Sequence, residues 1–246
     1  LLFNKENVLL DPYARAVSGL RKWGEDELGE MGYRARVVKD DFDWGNIKKK
    51  PTPMEDLVIY EMHIRGFTKH ESSGVDFPGT FDAVRQKIPY LKELGINAVE
   101  FMPIFEFDEM HDHREWNGQN LIDYWGYNTV NYFTPNNAYC SKPERNKEGN
   151  ELKRVIKLLH ENGIEVILDV VYNHTAYSED SPLNKLVPNY YYRTNGIGRF
   201  YNGSACGNEI ASERHMVRKM IADSLIYWAK EYKIDGFRFD LMGILE

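Results

Sequence analysis

From residue 57 onward the chain alternates short apolar runs with stretches of helical period, and no other feature restricts the fold as much. The runs at 57–62, 96–102, 165–171 and 234–240 have strand length and are rich in Val, Ile, Leu and Phe. Between the first two, Thr80 is placed to cap a helix carrying Phe81, Val84, Ile88, Leu91 and Leu94 on one side, with Gly95 as its stop. Pro89 inside that pattern predicts a kink or a division. Residues 151–162 repeat the period with Leu152, Val155, Ile156 and Leu159, and 213–232 with Val217, Ile221, Leu225 and Trp228. Strands separated by helices of this size predict parallel βαβ units, hence an α/β fold. Two connections, 103–148 and 173–212, are far longer than ordinary loops and follow the carboxyl ends of strands. That edge is where such folds place their sites.

The strand at 234–240 carries the chemistry. Alternation puts Gly236, Arg238 and Asp240 on one face and Phe237 and Phe239 on the other. A buried Arg and Asp need partners, since burial of lone charges costs several kcal/mol, roughly. A competing reading makes Asp240 the cap of a following helix and Arg238 one half of a surface pair. Upstream, Asp169 shares the face of Ile167 and Val171. If strands three and four are neighbours, Asp169 meets Arg238 near the carboxyl end, and the positive charge keeps Asp240 ionised. A fixed, ionised carboxylate in a water-poor cleft is what attack on a sugar's anomeric carbon requires. His174, just past the strand, is either a donor to a substrate hydroxyl or a loop histidine satisfied by backbone.

Composition limits the alternatives. The 246 residues are 42% hydrophobic and 28% charged, enough for a sizeable core. A net charge of -7 argues against nucleic acid or an anionic membrane as the main partner. Cys140 and Cys206 are the only cysteines, which leaves no disulfide framework or zinc spacing and favours the cytoplasm, with secretion left open. No run has the length and apolarity of a membrane span. Residues 1–52 lack a sustained period, and 48–53 read as a linker. The opening Leu1-Leu2-Phe3 without Met reads as an excerpt, so a leader is not judged from it. The Asn-x-Ser/Thr matches at Asn173 and Asn202 are at chance level.

Asp169-Val170-Val171-Tyr172-Asn173-His174 together with Gly236-Phe237-Arg238-Phe239-Asp240 resemble the first and second signature regions of the alpha-amylase superfamily of glycoside hydrolases. The resemblance implies a retaining enzyme on a (β/α)8 TIM barrel. It implies Asp240 as nucleophile, Arg238 as its ionic partner, Asp169 as the orienter of Arg238, and His174 as a sugar binder. Residues 60–68 and 95–103 are similar to the first two barrel strands of isoamylase- and pullulanase-type debranching enzymes. The stretch Asp123-Tyr124-Trp125-Gly126-Tyr127-Asn128-Thr129 resembles the isoamylase form of a loop whose second tyrosine, Tyr127, stacks on the sugar. Residues 200–209 and 239–243 look more like pullulanase. Tyr127, Trp125, Asn173 and His174 are thus the expected substrate-binding residues. The implied substrate is an α-glucan such as glycogen, amylopectin or pullulan, cut at α-1,6 branches. Transglycosylation and a non-catalytic α-glucan-binding role remain the alternatives.

The resemblance divides the chain into 1–52, similar to the tail of a β-sandwich glucan-binding module, and 53–246, the first half of the barrel with an excursion at about 175–212. The family's general-acid glutamate follows a fifth strand. Glu246 lies six residues past Asp240 and reads as a helix or loop residue. The acid is therefore expected to be absent from this chain, as is a third signature aspartate, and the piece to be inactive alone. No cofactor is expected. Some relatives bind calcium near the third-strand loop, where Asp180 and Asn173 are oxygen donors without a fixed site. His111-Asp112-His113 lacks a third ligand and reads as a solvated loop, and 144–157 as a helix's charged approach.

Overall fold

The computed structural model describes residues 4–17, 23–24, 32–47, 51–143 and 147–246. The opening tripeptide, Lys48–Lys50 of the predicted linker and 144–146 of the charged approach lie outside the described residues. In chain order the elements are β1 (Ile59–Met62), α1 (Ile64–Lys69), α2 (Phe81–Gln86), α3 (Ile88–Glu93), β2 (Ala98–Phe101), β3 (Phe105–Phe107), β4 (Arg114–Trp116), β5 (Gln119–Leu121), β6 (Thr129–Pro135), α4 (Glu148–Glu161), β7 (Glu165–Val170), α5 (Pro182–Leu186), α6 (His215–Glu231) and β8 (Gly236–Phe239).

The four strands expected from the apolar runs form one parallel sheet in the order β1-β2-β7-β8. One row of its side chains, Met62, Val99, Phe101, Val166, Leu168 and Val170, is buried beneath the helices. The other row carries Glu61, Glu100, Asp169 and Arg238, because strand alternation turns them away from that layer. Among the described residues no helix is long and apolar enough to cross a membrane.

The helical period beginning at Thr80 is divided. Thr80 caps α2 by accepting from the Ala83 N–H at 3.3 Å, and the chain restarts as α3 with Pro89 in its first turn. A proline there lacks only an N–H that has no helical partner anyway. The stretch after β1 begins with α1, because His63 Nδ1 accepts from the Gly66 N–H at 2.9 Å and starts a turn.

The excursion after β2 contains structure that hydrophobic period does not announce. β6 is buried along its whole length and pairs with β3 in an irregular antiparallel register. With both faces covered it shows no alternation, and its polar residues are tied down locally. Asn131 donates to the Asp11 carbonyl at 3.3 Å, and Thr134 to the Ala14 carbonyl at 2.7 Å. Those bonds lay the N-terminal segment across β6, where Leu10, Ala14 and Val17 pack with Val130 and Ala176. α6 is seated on the same strand: Trp228 Nε1 and Ser224 Oγ both donate to the Tyr132 carbonyl, at 2.9 and 2.8 Å. Trp228 also stacks on Phe105, with ring centroids 5.0 Å apart. β4 and β5 form a hairpin turned by Asn117-Gly118, both at positive φ (49° and 73°).

Candidate active site

Asp169 and Arg238 are register partners on β7 and β8, so their side chains leave the sheet on the same face at the same height. Asp240 follows two residues on and returns to that face. Arg238 Nη1 donates to Asp169 Oδ1 and Oδ2, both at 3.0 Å, and to Asp240 Oδ1 at 2.9 Å. The two acids are therefore linked through one guanidinium. Asp240 does not cap the following 3-10 turn, whose cap position is Leu241 with no side-chain bond. Its backbone N–H is spent on the Val170 carbonyl at 3.0 Å, which extends the ladder and fixes the carboxylate's origin.

Two further groups complete the cluster. Tyr127 donates its hydroxyl to Asp169 Oδ2 at 2.7 Å. Asn173 Nδ2 donates to the Asp240 carbonyl at 2.9 Å and to Asp240 Oδ2 at 3.2 Å. Each Asp240 oxygen thus has a donor, Arg238 on one and Asn173 on the other. Asn173 Oδ1 accepts from His174 Nδ1, which leaves that ring nitrogen engaged within the protein. His174 is only 2% exposed. Burial lowers its pKa, while the Asp240 charge and a hydrogen bond to the Tyr127 backbone oppose the shift. Trp125 stands apart from the hydrogen-bonded group at 63% exposure, its ring 6.4 Å from that of Tyr127.

Electrostatics follow from depth. Asp169 is 1% exposed, and burial raises its pKa against the bonds from Tyr127 and Arg238. For Arg238 burial pulls the other way, but the bonds to Asp169 and Asp240 outweigh it and the guanidinium holds its proton more tightly than usual. Burial raises the Tyr127 pKa too, aided by the carboxylate its hydroxyl meets. On the same face Glu100 is raised by burial first, then by the charges of Asp169 and Glu61.

Metal binding finds little support in these partners. Glu61, Glu100 and Asp169 offer oxygens within 4.8 Å of one another, but Arg238 already occupies both Asp169 oxygens. The Asn173 amide oxygen, the atom that could face a calcium ion, accepts from His174, while Asp180 is an exposed partner of Lys185 at 3.3 Å. Asp112 accepts from Asn128 at 2.9 Å, His113 contacts the Met110 carbonyl at 2.8 Å, and His111 lies against the Tyr177 ring.

Asp169, Arg238 and Asp240 thus stand together at the carboxyl ends of two neighbouring parallel strands. Residues 50–193 match the Alpha-amylase family, described as the alpha amylase catalytic domain. The chain belongs to the alpha-amylase family. Isoamylase 1, chloroplastic, from Arabidopsis thaliana is 42% identical over 258 residues, covering 99% of this chain and 33% of the plant protein. Pullulanase from Bacillus subtilis (strain 168) is 39% identical over 249 residues, covering 96% of this chain and 33% of the bacterial one. Among solved structures, a pullulanase from Paenibacillus barengoltzii in complex with maltohexaose and alpha-cyclodextrin is similar with a TM-score of 0.82 at 34% identity, over 97% of this chain and 38% of that one. The chain spans about a third of the length of the curated relatives it matches. In this alpha-amylase family member the four parallel strands fit part of a (β/α)8 barrel, with the cluster at its carboxyl-end rim.

Strand parity alone puts Arg238 and Asp240 on one face, and Asp169 joins them because β7 and β8 are neighbours, the condition on which that expectation depended. Sequence reasoning did not find the Tyr127–Asp169 and Asn173–Asp240 bonds, which join loops to strands across 42 and 67 residues. Nor did it find the packing behind the Tyr127 loop. Gly126 holds φ at 87°, and a Cβ there would lie 2.9 Å from Phe107 Cε1 and 3.0 Å from the Pro103 carbonyl. A glycine with Tyr on either side of the Trp-Gly pair is the signal that a tight, backed turn sits here.

Proposed function

We propose that the protein containing this chain is a retaining glycoside hydrolase that cleaves α-1,6 branch linkages in glycogen- or starch-type α-glucans. The observation that carries the reading is the Asp240 carboxylate, held by Arg238 on one oxygen and Asn173 on the other and aimed from the strand end. Fixed donors on both oxygens keep the carboxylate in one orientation, which suits in-line attack on C1 of a glucose unit. Asp169 acts through Arg238 by fixing the guanidinium. Tyr127 and Trp125 present ring faces toward the sugar, and Asn173 and His174 complete the floor. Protonation of the leaving oxygen needs a second carboxyl about 5–5.5 Å from the nucleophile in a retaining enzyme. None of the groups bonded to Asp240 is a carboxyl, and the family resemblance leads us to propose that the acid follows a fifth strand and that this stretch is inactive alone.

The similarity to an isoamylase and to pullulanases supports debranching as the linkage class. Isoamylase-like and pullulanase-like stretches are mixed, so glycogen and pullulan are offered as competing substrates in the test. Residues 1–52 are proposed as the tail of a glucan-binding module, of which Asp11 and Ala14 bond to β6. Two free cysteines, one of them buried, fit a cytoplasmic enzyme. The deciding experiment replaces Asp240 by Asn in the full-length protein. Hydrolysis should fall by several orders of magnitude while maltohexaose still binds. Retained hydrolysis at comparable rate removes Asp240 from the nucleophile's role, and binding without hydrolysis in the unaltered protein favours a glucan-binding role instead.

A further inference from the structure

The loop that carries Tyr127 is held from behind by a residue that no part of the mechanism above uses. Residues 123–128 form a turn tied across its ends, where the Asp123 carboxylate accepts from the Asn128 amide at 3.0 Å. A turn closed this way moves as a unit. Its base meets His63, which follows β1 and lies 61 residues upstream of Tyr124. His63 Nδ1 accepts from the Gly66 N–H at 2.9 Å, so that nitrogen carries no proton. The remaining ring proton sits on Nε2, which donates to the Tyr124 carbonyl at 2.6 Å. The Tyr139 hydroxyl lies 3.1 Å from the same nitrogen. The His63 and Tyr124 rings are stacked, with centroids 4.5 Å apart. Trp23 closes the back of this assembly, edge-on to Tyr124 at 5.6 Å, stacked on Tyr139 at 5.7 Å and covered by the Arg65 guanidinium at 4.6 Å.

We infer that His63 is a positioning residue for the sugar-facing loop: through its Nε2 bond to the Tyr124 carbonyl it sets where Tyr127 meets both Asp169 and the substrate. The inference rests on the debranching reading for what the loop does, and on the geometry alone for what holds it. Three consequences separate it from a structural role. The two ring nitrogens do different work, Nδ1 for the α1 cap and Nε2 for the loop, and an amide can replace each separately. Asn at position 63 reaches the cap but not Tyr124, whereas Gln reaches Tyr124. And the effect of removing the loop bond must run through Tyr127.

The test uses the full-length protein with His63→Asn, His63→Gln, Tyr127→Phe and the Asn/Phe double variant, scoring kcat and KM on pullulan, maltohexaose affinity and thermal unfolding. His63→Asn should unfold within a few degrees of the unaltered protein yet lose about tenfold in kcat/KM, the scale expected of a misplaced contact group. His63→Gln should stay within about threefold on the same scale. The double variant should be no worse than its poorer single parent, because residues acting through one contact are non-additive. Equal losses in the Asn and Gln variants, multiplying losses in the double variant, or an unfolded Asn variant would each assign His63 to the fold and overturn the inference. If the unaltered protein binds maltohexaose without cutting α-1,6 bonds, the debranching reading fails and the same cycle is scored on affinity. Absence of both binding and hydrolysis overturns the two together.

Discussion

Replacing Asp169 by Asn should separate activity from stability. The carboxylate is 1% exposed, and its pKa is raised because burial outweighs the bonds from Tyr127 and Arg238. A carboxyl whose folded pKa lies above its unfolded one withdraws stability as pH rises through that window. At neutral pH the charge is therefore a net cost to the fold. Asn keeps the shape, removes the charge and still accepts one hydrogen bond, so the expected change in stability is within about 1 kcal/mol of zero, of either sign. Function is another matter. The substitution ends the paired contact with Arg238 at 3.0 Å and makes the 2.7 Å bond from Tyr127 a neutral one. A hydrogen bond to a charged group contributes about 1.5–3 kcal/mol, and losing one such constraint on Arg238 corresponds to about 10²-fold in kcat. Thermal unfolding and pullulan hydrolysis on the same preparation measure both quantities. Activity within twofold of the unaltered protein, or a midpoint more than about 10 °C lower, refutes the reasoning.

Other substitutions probe the scaffold behind the site. Gly126→Ala puts a Cβ 2.9 Å from Phe107 at a φ of 87°, so it should cost about 2–4 kcal/mol and lower activity through Tyr127, as read by denaturant unfolding beside a hydrolysis assay. Burial depresses the His63 pKa from 6.5 to about 4, with the charge of Arg65 adding to it and the neutral Tyr124 and Tyr139 as its other neighbours. Between those values the unfolded chain binds the proton and the folded one does not, so this contribution, at most about 3 kcal/mol, is present above pH 6.5 and lost toward pH 4. Comparing unfolding midpoints of the unaltered protein and His63→Gln at pH 7 and 4.5 should show the histidine's advantage shrinking in acid; a constant difference contradicts it. Trp228→Phe removes the indole N–H donated to the Tyr132 carbonyl at 2.9 Å but leaves the Ser224 bond, and should cost about 1–3 kcal/mol by calorimetry with the Asp240 geometry unchanged.

The parallel sheet and the shared face of Arg238 and Asp240 were legible from the chain alone, whereas Asp169 meets them only because β7 and β8 pair. The determinants of the sheet and of that face are short-range and periodic: apolar runs of strand length, helical stripes between them, and a parity of two that sends Arg238 and Asp240 to one face. The division of the helix after Thr80 was legible in the same way, since Pro89 can start a helix but not continue one. Tertiary structure alone decided the rest. β6 is covered on both faces and so carries no alternation to read, although α6 and the N-terminal segment are both anchored on it. The bonds from Tyr127 to Asp169, from Asn173 to Asp240 and from His63 to the Tyr124 carbonyl join residues 42, 67 and 61 positions apart. A local pattern encodes which face a side chain leaves from. Which distant loop comes to meet it depends on how the long excursions pack, and that is set by the whole core at once.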